Sequence, residues 1–581
     1  MAKIVITEID ETLPTSVAES TDIVYVPGFA DTNQNCFILT TPNATPDGLT
    51  GSAGGSATPK RTDYNTHSTN PQYCVNIYDK KAWYYGTDSW VEVTTYVEPY
   101  PENEPILCGS LAEFVENFGD TPYRFSREIG EGDDTNVSAR IAFPKVNGNE
   151  YTQYNIGDYE GSYIYARELV ALGLPVLYEN CVKRDDDGKK LYPSVTDLYA
   201  SIKGMLENIS DLGEYTVKYI TSGVYPNYDE VCTVESHKAT SAEASAHSFT
   251  LGGSYTVESV SIGSTYYAVL STGSAVADSS VVVSGGTVTF ASGDTNFVAN
   301  AVVDVWSPVA VEMSKSASTR GDAVALIDHT NKPGRDLVGN NSVYGSVNAV
   351  GSIFKVGKAS GGAKEYAPFA TLMTPWASYS VPNEVPSIAA IKQIMPASFG
   401  YLMALAKSIK TNANWFAVAG VARGVVPNIV ALNTTSKLTN SIADSYQPRQ
   451  GIAINAITNI KPYGLTIWGN RTLLDNEINL SAHSFLNTRN MVNDIKKVAY
   501  TTAKSLMFEQ NSEQLWLSFK AGIMPTLNQM QSGQGLTGYK IIRGTTDEKA
   551  KLVAVIKLYP IYAVEDFEIT IVLKDEEVTV Q

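Results

Sequence analysis

The stretch that decides the interpretation of this 581-residue chain is GIAINAITNIKPYGLTIWGNRTLLD, at residues 451–475. Its glycines at 464–470, like those at 533–538, are predicted to serve backbone turns rather than a ligand, because glycine adopts left-handed conformations at little cost. A helical pattern follows at 491–506, with apolar side chains on one face and lysines elsewhere. The C-terminal third is therefore predicted to contain turns and a long helix without a ligand motif.

Working outward, both ends of the chain contain candidate strands. Residues 3–9, KIVITEI, are short and β-branched, and a polar connector follows at 11–21. Residues 567–574 alternate apolar and mostly polar side chains with a period close to two. A terminal strand followed by a connector suggests an arm that pairs outside its own body. The residues predicted to form these subunit-linking arms are Lys3, Ile4, Val5, Ile6, Phe567, Ile569, Ile571 and Leu573.

The middle of the chain alternates helical and strand patterns. Strand and helix at 105–119, where Ser110 and Glu113 fit a capping box, are followed by helices at 161–173 and 193–209. This alternation predicts an α/β body. At 231–312 the composition shifts to Ser, Thr, Val and Gly, which predicts a small all-β domain inserted into that body.

The fold is therefore predicted as α/β (α+β) and multidomain. Residues 388–409 are expected to be helical apart from a break at Pro396. The predicted units are an N-terminal arm at 1–21, an outer α/β body at 22–40, 105–230 and 313–375, a loop-rich insertion at 41–104, an inserted β-sandwich-like domain at 231–312, an inner domain at 376–565 and a C-terminal arm at 566–581.

Charge and composition exclude several classes of protein. The chain has 43 Lys and Arg against 61 Asp and Glu, a formal charge of −18, which argues against nucleic-acid binding through a basic surface. Apolar residues make up 43% and charged residues 18%, as in globular proteins. No apolar run is long enough for a transmembrane helix, and the first residues lack a secretory signal, so no membrane insertion is expected.

No motif indicates catalysis, a metal or a cofactor. The spacing of the 5 Cys suggests no disulfide or metal-binding pair, and the 5 His are scattered along the chain. The sequence contains no zinc-ligand pattern, phosphate loop or nucleophile elbow. Residues 184–190, RDDDGKK, match an EF-hand loop only in part and are interpreted as an exposed turn. Catalytic, cofactor and metal sites are therefore all predicted to be absent.

The lysines of the C-terminal helix allow two interpretations. Lys496, Lys497 and Lys504 lie off the apolar face of 491–506. They are either the solvated face of a core helix or an electrostatic contact with an acidic partner.

Several segments, in order, resemble the contractile tail sheath proteins of myophages and R-type pyocins. In the C-terminal third these are 451–475, the helix beginning near Arg489, the Gly535–Tyr539 segment and the terminal strand opened by Pro560 and Glu565. The upstream segments with a similar match are 27–29, 110–119, 320–328, 366–376 and 395–420. The motif residues chosen for this resemblance are Gly451, Asn455, Trp468, Gly469, Arg471 and Pro560. Residues 41–104 and 231–312 match nothing in the family.

The resemblance implies a subunit that polymerises as six-fold rings in a helical cylinder around a tail tube and contracts. It implies an inner domain with arms next to the tube, an outer body, and baseplate and tail terminator proteins as further partners. The protein would be made in the host cytoplasm and belong to a virion or a phage-derived particle. The helix residues expected to face the tube are Arg489, Lys496, Lys497 and Lys504.

Two other function classes stay open at this point. A surface-layer or adhesin-type structural protein is suggested by the Ser/Thr/Gly-rich insertion, although that class would call for an export signal. A hydrolase-like enzyme lacks a credible site in the sequence.

Overall fold

The computed structural model describes most of the body of the chain. The described residues are 22–28, 36–39, 41–46, 73–85, 90–93, 100–118, 143–146, 149–151, 161–181, 183–184, 190–191, 195–210, 215–223, 234–250, 267–270, 281–284, 287–290, 299, 302–306, 308–329, 364–381, 391–434, 438–476, 480–546 and 548–565. Both predicted arms, at 1–21 and 566–581, lie outside these residues, so the fate of the eight arm residues stays a prediction.

The described strands fall into one large sheet and several small ones. In chain order they are β1 (Val24–Gly28), β2 (Cys36–Leu39), β3 (Tyr73–Asn76), β4 (Lys81–Tyr85), β5 (Trp90–Val93), β6 (Pro105–Cys108), β7 (Phe143–Val146), β8 (Asn149–Tyr151), β9 (Val176–Asn180), β10 (Lys183–Arg184), β11 (Lys190–Leu191), β12 (Tyr219–Ile220), β13 (Val234–Lys238), β14 (Ser248–Thr250), β15 (Tyr267–Leu270), β16 (Val281–Ser284), β17 (Thr287–Phe290), β18 (Val302–Trp306), β19 (Val324–Asp328), β20 (Ala370–Thr374), β21 (Ala377–Val381), β22 (Ile391–Met395), β23 (Ile429–Leu432), β24 (Asn455–Ile460), β25 (Gly464–Trp468), β26 (Leu536–Arg543) and β27 (Ala554–Pro560).

The described helices lie between these strands and towards the C-terminus. They are α1 (Leu111–Phe118), α2 (Gly161–Ala171), α3 (Val195–Asn208), α4 (Ser241–Ala246), α5 (Pro308–Arg320), α6 (Ala397–Ser408), α7 (Gly420–Arg423), α8 (Asn440–Ser445), α9 (Leu486–Ser505) and α10 (Glu513–Ser532), with 3-10 helices at Lys364–Phe369 and Ala482–Ser484. The prediction of a mixed α/β fold is confirmed.

A central eight-stranded sheet organises the body. Its strand order is β25-β24-β20-β19-β12-β1-β9-β6. The six inner strands run parallel, and β25 and β6 at the two edges run antiparallel to their neighbours. Parallel neighbours need crossover connections, which explains the alternation of strands and helices along the sequence.

Both faces of this sheet are covered by helices. Along β1, Tyr25 joins one apolar core with residues of α3 and α5, whereas Val24 and Val26 join a second core with residues of α1, α2 and α6. Strands buried on both faces read as continuous apolar runs rather than alternating ones. The apolar run DIVYVPGF at 22–29, which contains β1, has no clear polar side for this reason.

The helix α1 shows the predicted cap with one difference. The Glu113 backbone N–H donates to Ser110 Oγ at 3.3 Å, as in a capping box. The Glu113 carboxylate, however, accepts from the Gly109 backbone N–H at 2.7 Å rather than from Ser110. Ser110 therefore caps the helix as predicted, and the Glu113 carboxylate binds the backbone one residue before the cap.

The two insertions contain small sheets. The segment predicted as loop-rich, 41–104, contributes β3, β4 and β5 to a four-stranded sheet that begins with β2. Within 231–312 there are two three-stranded sheets, β13-β18-β15 and β14-β17-β16. The sequence VVVSGGTVTF at 281–290 predicts a hairpin with a two-residue glycine turn. That prediction is confirmed, because β16 and β17 pair antiparallel with Ser284 opposite Thr287.

The helix predicted at 388–409 is wrong in its first part. Residues 391–395 form β22, which pairs with β21, and the helix begins only after Pro396. Proline cannot supply a side-chain cap, so Asp328 at the end of β19 supplies it: its two oxygens accept from the Ser398 backbone N–H at 2.8 Å and from Ser398 Oγ at 2.6 Å. A cap from a distant strand leaves no local sequence signal.

The last part of the chain adds a smaller module to the body. Helices α9 and α10 and the hairpin β26–β27 enclose a separate apolar core that includes Trp415, Trp516 and Ile523. Upstream of it, β24 and β25 complete the central sheet, since Met373 of β20 lies opposite Asn455 of β24. The central sheet therefore continues across the boundary predicted at 375/376, and the assignment of 376–565 as an inner domain stays a prediction.

Candidate functional site

Five of the six motif residues lie at one end of the β24–β25 pair, where β24 begins and β25 ends. Gly451 and Asn476 pair through their backbones, with N···O distances of 2.9 and 3.3 Å, and Gly451 has a φ of +96°. This pairing closes the loop that follows β25. The indole N–H of Trp468 donates to Asp444 of α8 at 2.6 Å, which holds the end of β25.

Asn455 is the centre of this region. Its side-chain amide donates to Thr371 Oγ1 at 2.6 Å and to the Arg471 carbonyl at 2.8 Å. Its side-chain oxygen accepts from the Arg471 backbone N–H at 2.9 Å. One buried side chain thus bonds both backbone groups of Arg471, and the Arg471 carbonyl also accepts from Thr371 Oγ1 at 2.9 Å.

Gly469 allows this arrangement. Its φ is +141°, a conformation that side-chain-bearing residues rarely adopt. A Cβ there would lie 2.6 Å from Asn455 Oδ1 and would also overlap the Gln447 amide. The resemblance marked Gly469 as a motif residue, and the geometry supplies a physical reason for glycine at this position.

Arg471 extends from this centre to the residue that precedes the C-terminal arm. Its guanidinium is 2% exposed and binds the Glu565 carboxylate, with Nε to Oε1 and Oε2 distances of 2.9 and 3.0 Å and a further contact from Nη2. The guanidinium also lies 5.0 Å from the centre of the Phe485 ring, which contacts Tyr562. Glu565 is therefore fixed to the motif region by an ion pair in which Arg471 donates through two nitrogens.

Asp22, just before β1, is also held by a buried ion pair. Lys218 Nζ lies 2.5 Å from Asp22 Oδ1 and 3.0 Å from Asp494 Oδ2, and all three side chains are buried. Burial alone would favour the neutral amine, but the carboxylates of Asp22 and Asp494 outweigh it and raise the pKa of Lys218. The lysine therefore stays charged and links the start of β1 to α9.

The four residues predicted to face a tube do not share an exposed face. Arg489 is 1% exposed and its guanidinium lies 4.2 Å from the centre of the Phe369 ring. Lys496 Nζ lies 5.1 Å from the same ring. Both side chains therefore lie against Phe369, and whether they also face a tube stays a prediction.

The remaining two residues differ from each other. The Lys497 ammonium is buried and makes no hydrogen bond to any described residue. Burial lowers the pKa of Lys497, although Asp322 and Asp494 oppose the shift. Lys504 is exposed near the end of α9, with Nζ 5.9 Å from the Tyr500 ring. Of these four residues, only Lys504 is exposed.

Pro560, the sixth motif residue, closes β27 opposite Leu536 of β26. The two strands form a two-stranded sheet in which one face contributes Tyr539, Ile541 and Ile556 to the core with α10. The other face exposes Ile542 and Val555, at 44% and 40%. Among the described residues, no third strand pairs with either edge of this hairpin.

The buried charges at the chain ends were not found from the sequence. Glu565 entered only through the resemblance, and Asp22, Lys218 and Asp494 were not singled out. A lysine inside the apolar pattern YTVKYIT at 215–221 was the available signal, because a charge in a buried strand requires a partner.

In the part of the chain that the structure describes, no cluster of three or more His, Cys, Asp or Glu has a geometry suited to a metal ion. No described helix combines the length and the apolar character needed to span a bilayer.

Comparison with protein-family models and with curated proteins found no match. Among solved structures, the fold is similar to a chain of the anti-feeding prophage baseplate in its six-fold symmetrised form, at 12% identity and a TM-score of 0.45, covering 99% of each chain. It is similar to the contracted helical sheath of the same particle, at 12% identity and a TM-score of 0.40, covering 98% of this chain and 99% of that one.

A third similar structure is the contracted sheath complex of an extracellular contractile injection system, PVC. The identity is 19% and the TM-score 0.33, over 45% of this chain and 68% of the other.

Proposed function

We propose that this chain is the sheath subunit of a contractile particle. It polymerises as six-fold rings in a helical cylinder around a tail tube and contracts to drive the tube through a host cell envelope. Its terminal arms join neighbouring subunits by strand exchange. It acts as a structural protein, assembled in the host cytoplasm into a virion or a phage-derived particle, with tube, baseplate and tail terminator proteins as partners.

The observation that carries this proposal is the hairpin β26–β27. No strand of the described residues pairs with either of its edges, and its outer face exposes apolar side chains. Unpaired strand edges present free backbone N–H and C=O groups that readily accept an added strand. An arm donated by a neighbouring copy satisfies these groups and extends the sheet, with its own side chains next to Ile542 or Val555.

The predicted arms have the length and pattern for this role. Seven extended residues reach about 23 Å, which is enough to cross to an adjacent subunit. Four backbone hydrogen bonds contribute roughly 2–6 kcal/mol in total, at about 0.5–1.5 kcal/mol each. One arm is thus a modest link, but a lattice repeats it at every subunit, and the connector at 11–21 turns while the strand pairing persists.

The proposal also assigns a surface that contacts the tail tube. In this proposal the C-terminal module lies against the tube, and Lys504 of α9 meets an acidic tube surface. Arg489 and Lys497 belong to α9. The Arg489 side chain and the Lys497 ammonium are buried, so we assign both residues structural roles within the chain.

The test is electron microscopy of the purified protein in negative stain, with full-length chain beside variants that lack residues 2–9 or 567–574. Full-length protein is expected to form hollow, striated tubes, and each deletion is expected to leave folded, unassembled subunits. Circular dichroism of the deletion variants supplies the control for folding. Normal long tubes from either deletion variant would contradict strand exchange, and planar arrays from the full-length chain would favour the surface-layer alternative.

A further inference from the structure

We propose that helix α9 is the common anchor of both arms, through an N-terminal clamp of Asp22, Lys218 and Asp494 and a C-terminal clamp of Arg471 and Glu565. The proposal rests on the sheath function proposed above. It assigns these five residues a positioning role: they fix where the arms leave the body, rather than pairing with a neighbour themselves.

The N-terminal clamp joins three segments that are distant in sequence. The Lys218 backbone N–H donates to the Ile23 carbonyl at 2.8 Å, and the Lys218 carbonyl accepts from Val324 N–H at 2.9 Å, so its backbone is fixed beside β1 and β19. Its ammonium then bridges Asp22 and Asp494 at 2.5 and 3.0 Å. Residue 22 directly follows the arm predicted at 1–21 and is thus tied to α9 by one charged side chain.

The C-terminal clamp reaches the start of the same helix. Arg471 forms a bridge with Phe485, the residue before α9, and also lies on its ring. The Leu486 backbone N–H donates to the Asn470 carbonyl at 2.9 Å. The Arg471 side chain binds Glu565, which directly precedes the arm predicted at 566–581.

The two clamps meet on one short rigid element. Leu486 and Asp494 are eight residues apart in α9, which corresponds to about 12 Å along a helix. All residues of α9 from Leu486 to Ile495 are buried, so this half of the helix is held on every side. The starts of both predicted arms are therefore tied to the same half of α9.

The chain offers a matched control for the C-terminal clamp. Arg543 of β26 and Glu513 of α10 form an ion pair of the same residue types, with Nη1 to Oε2 at 2.6 Å. Both side chains are exposed, and neither is at the start of an arm. Glu513→Gln removes the same charge as Glu565→Gln in the same module, but leaves the clamp intact.

The experiment measures the critical concentration for tube assembly, by sedimentation and negative stain, for wild type, E565Q, D22N and E513Q. Loss of a charge-assisted hydrogen bond corresponds to about a ten- to hundredfold change in an equilibrium. We expect E565Q and D22N to raise the critical concentration by about tenfold or more, while E513Q changes it less than twofold. Assembly of E565Q and D22N at the wild-type concentration overturns the proposal.

A second readout separates this proposal from the function on which it rests. Hydrogen exchange of backbone amides at 561–565 is measured on unassembled subunits, where E565Q is expected to accelerate exchange about tenfold and E513Q to leave it unchanged. If wild type forms no tubes, the sheath function fails while exchange still tests the clamp. The clamp proposal fails if exchange at 561–565 is unchanged in E565Q. It also fails if E565Q lowers the melting temperature and the loss of assembly is no larger than that loss of stability explains.

Discussion

Asn455 holds Arg471 by both of its backbone groups: the side-chain oxygen accepts the Arg471 N–H at 2.9 Å, and the side-chain amide donates to the Arg471 carbonyl at 2.8 Å. The pair reproduces within one side chain the hydrogen bonds that a neighbouring strand would supply. Because Arg471 in turn binds Glu565, the position of Glu565 depends on the contact between Asn455 and Arg471.

Replacing Asn455 by Ala is expected to destabilise the subunit by about 1–3 kcal/mol, the cost of one unsatisfied buried group. The substitution removes the bond of the buried Arg471 N–H, whereas the Arg471 carbonyl and the Thr371 hydroxyl keep their bond to each other at 2.9 Å. Urea denaturation measures the change. The control is Asn117→Ala, which removes only an exposed side-chain bond to Glu113 and is expected to cost less than about 0.5 kcal/mol. Equal effects of the two substitutions would contradict the role of Asn455.

Replacing Gly469 by Ala is expected to destabilise the subunit by more than about 2 kcal/mol. The new Cβ would collide with Asn455 in a backbone conformation, φ +141°, that alanine strongly disfavours. Gly204→Ala is the opposite case, because it lies within α3 and a Cβ there meets nothing within 4 Å. That control is expected to stabilise the subunit by about 0.5–1 kcal/mol, through better helix propensity. Thermal unfolding of both variants would show whether the signs differ as expected.

How far the sequence predicts this structure depends on the range of each interaction. The helices α2 and α3 and the hairpin β16–β17 follow from patterns within 20 residues, and they appear where the patterns place them. The continuity of the central sheet does not, because β20 and β24 meet across about 80 residues of intervening chain and no local pattern encodes that pairing.

The charged residues of the candidate site also depend on contacts that are distant in the sequence. Lys496 and Lys497 lie off the apolar face of a helix, so charge patterning predicts a solvated or partner-binding stripe. Their surroundings come from elsewhere in the chain: Phe369 beneath Lys496, and Asp322 near Lys497. Resemblance to a family located Asn455, Gly469 and Arg471, but the reason for their proximity emerged only from the fold.

The buried Lys497 is expected to make stability depend on pH. Burial lowers the pKa of Lys497 in the folded state below its ordinary value of 10.5. Between the folded and the ordinary pKa the unfolded chain binds more protons, so this group's contribution to stability rises as pH rises through that window and levels off near 10.5. The charged groups that act on it are Asp322, Asp494, Lys218 and Arg320, of which the carboxylates favour the ammonium and the cations oppose it.

Lys497→Met is therefore expected to stabilise the subunit at pH 7 by about 1–2 kcal/mol, and the gain is expected to shrink as pH approaches 10. Urea denaturation between pH 6 and 10 measures this difference against wild type. Lys504→Met, at an exposed position of the same helix, serves as control and is expected to show no such trend. A destabilising Lys497→Met, or a gain that grows with pH, would refute this account.

Charge reversal at Lys504 is expected to weaken binding between the sheath subunit and its tube, by about fivefold at roughly 0.1 M salt. Lys504 is the better probe than Lys497, because a carboxylate at 497 would be buried near Asp322 and Asp494 and would unfold the helix contact rather than report on a partner. Co-sedimentation of subunits with preformed tubes measures the effect at low and high salt. At about 1 M salt, where the screening length falls to about 3 Å, Lys504→Glu and wild type should bind alike. Lys203→Glu, on the exposed side of α3 in the outer body, should bind like wild type at every salt concentration, and a matching loss in that control would show that net charge, not this contact, sets the affinity.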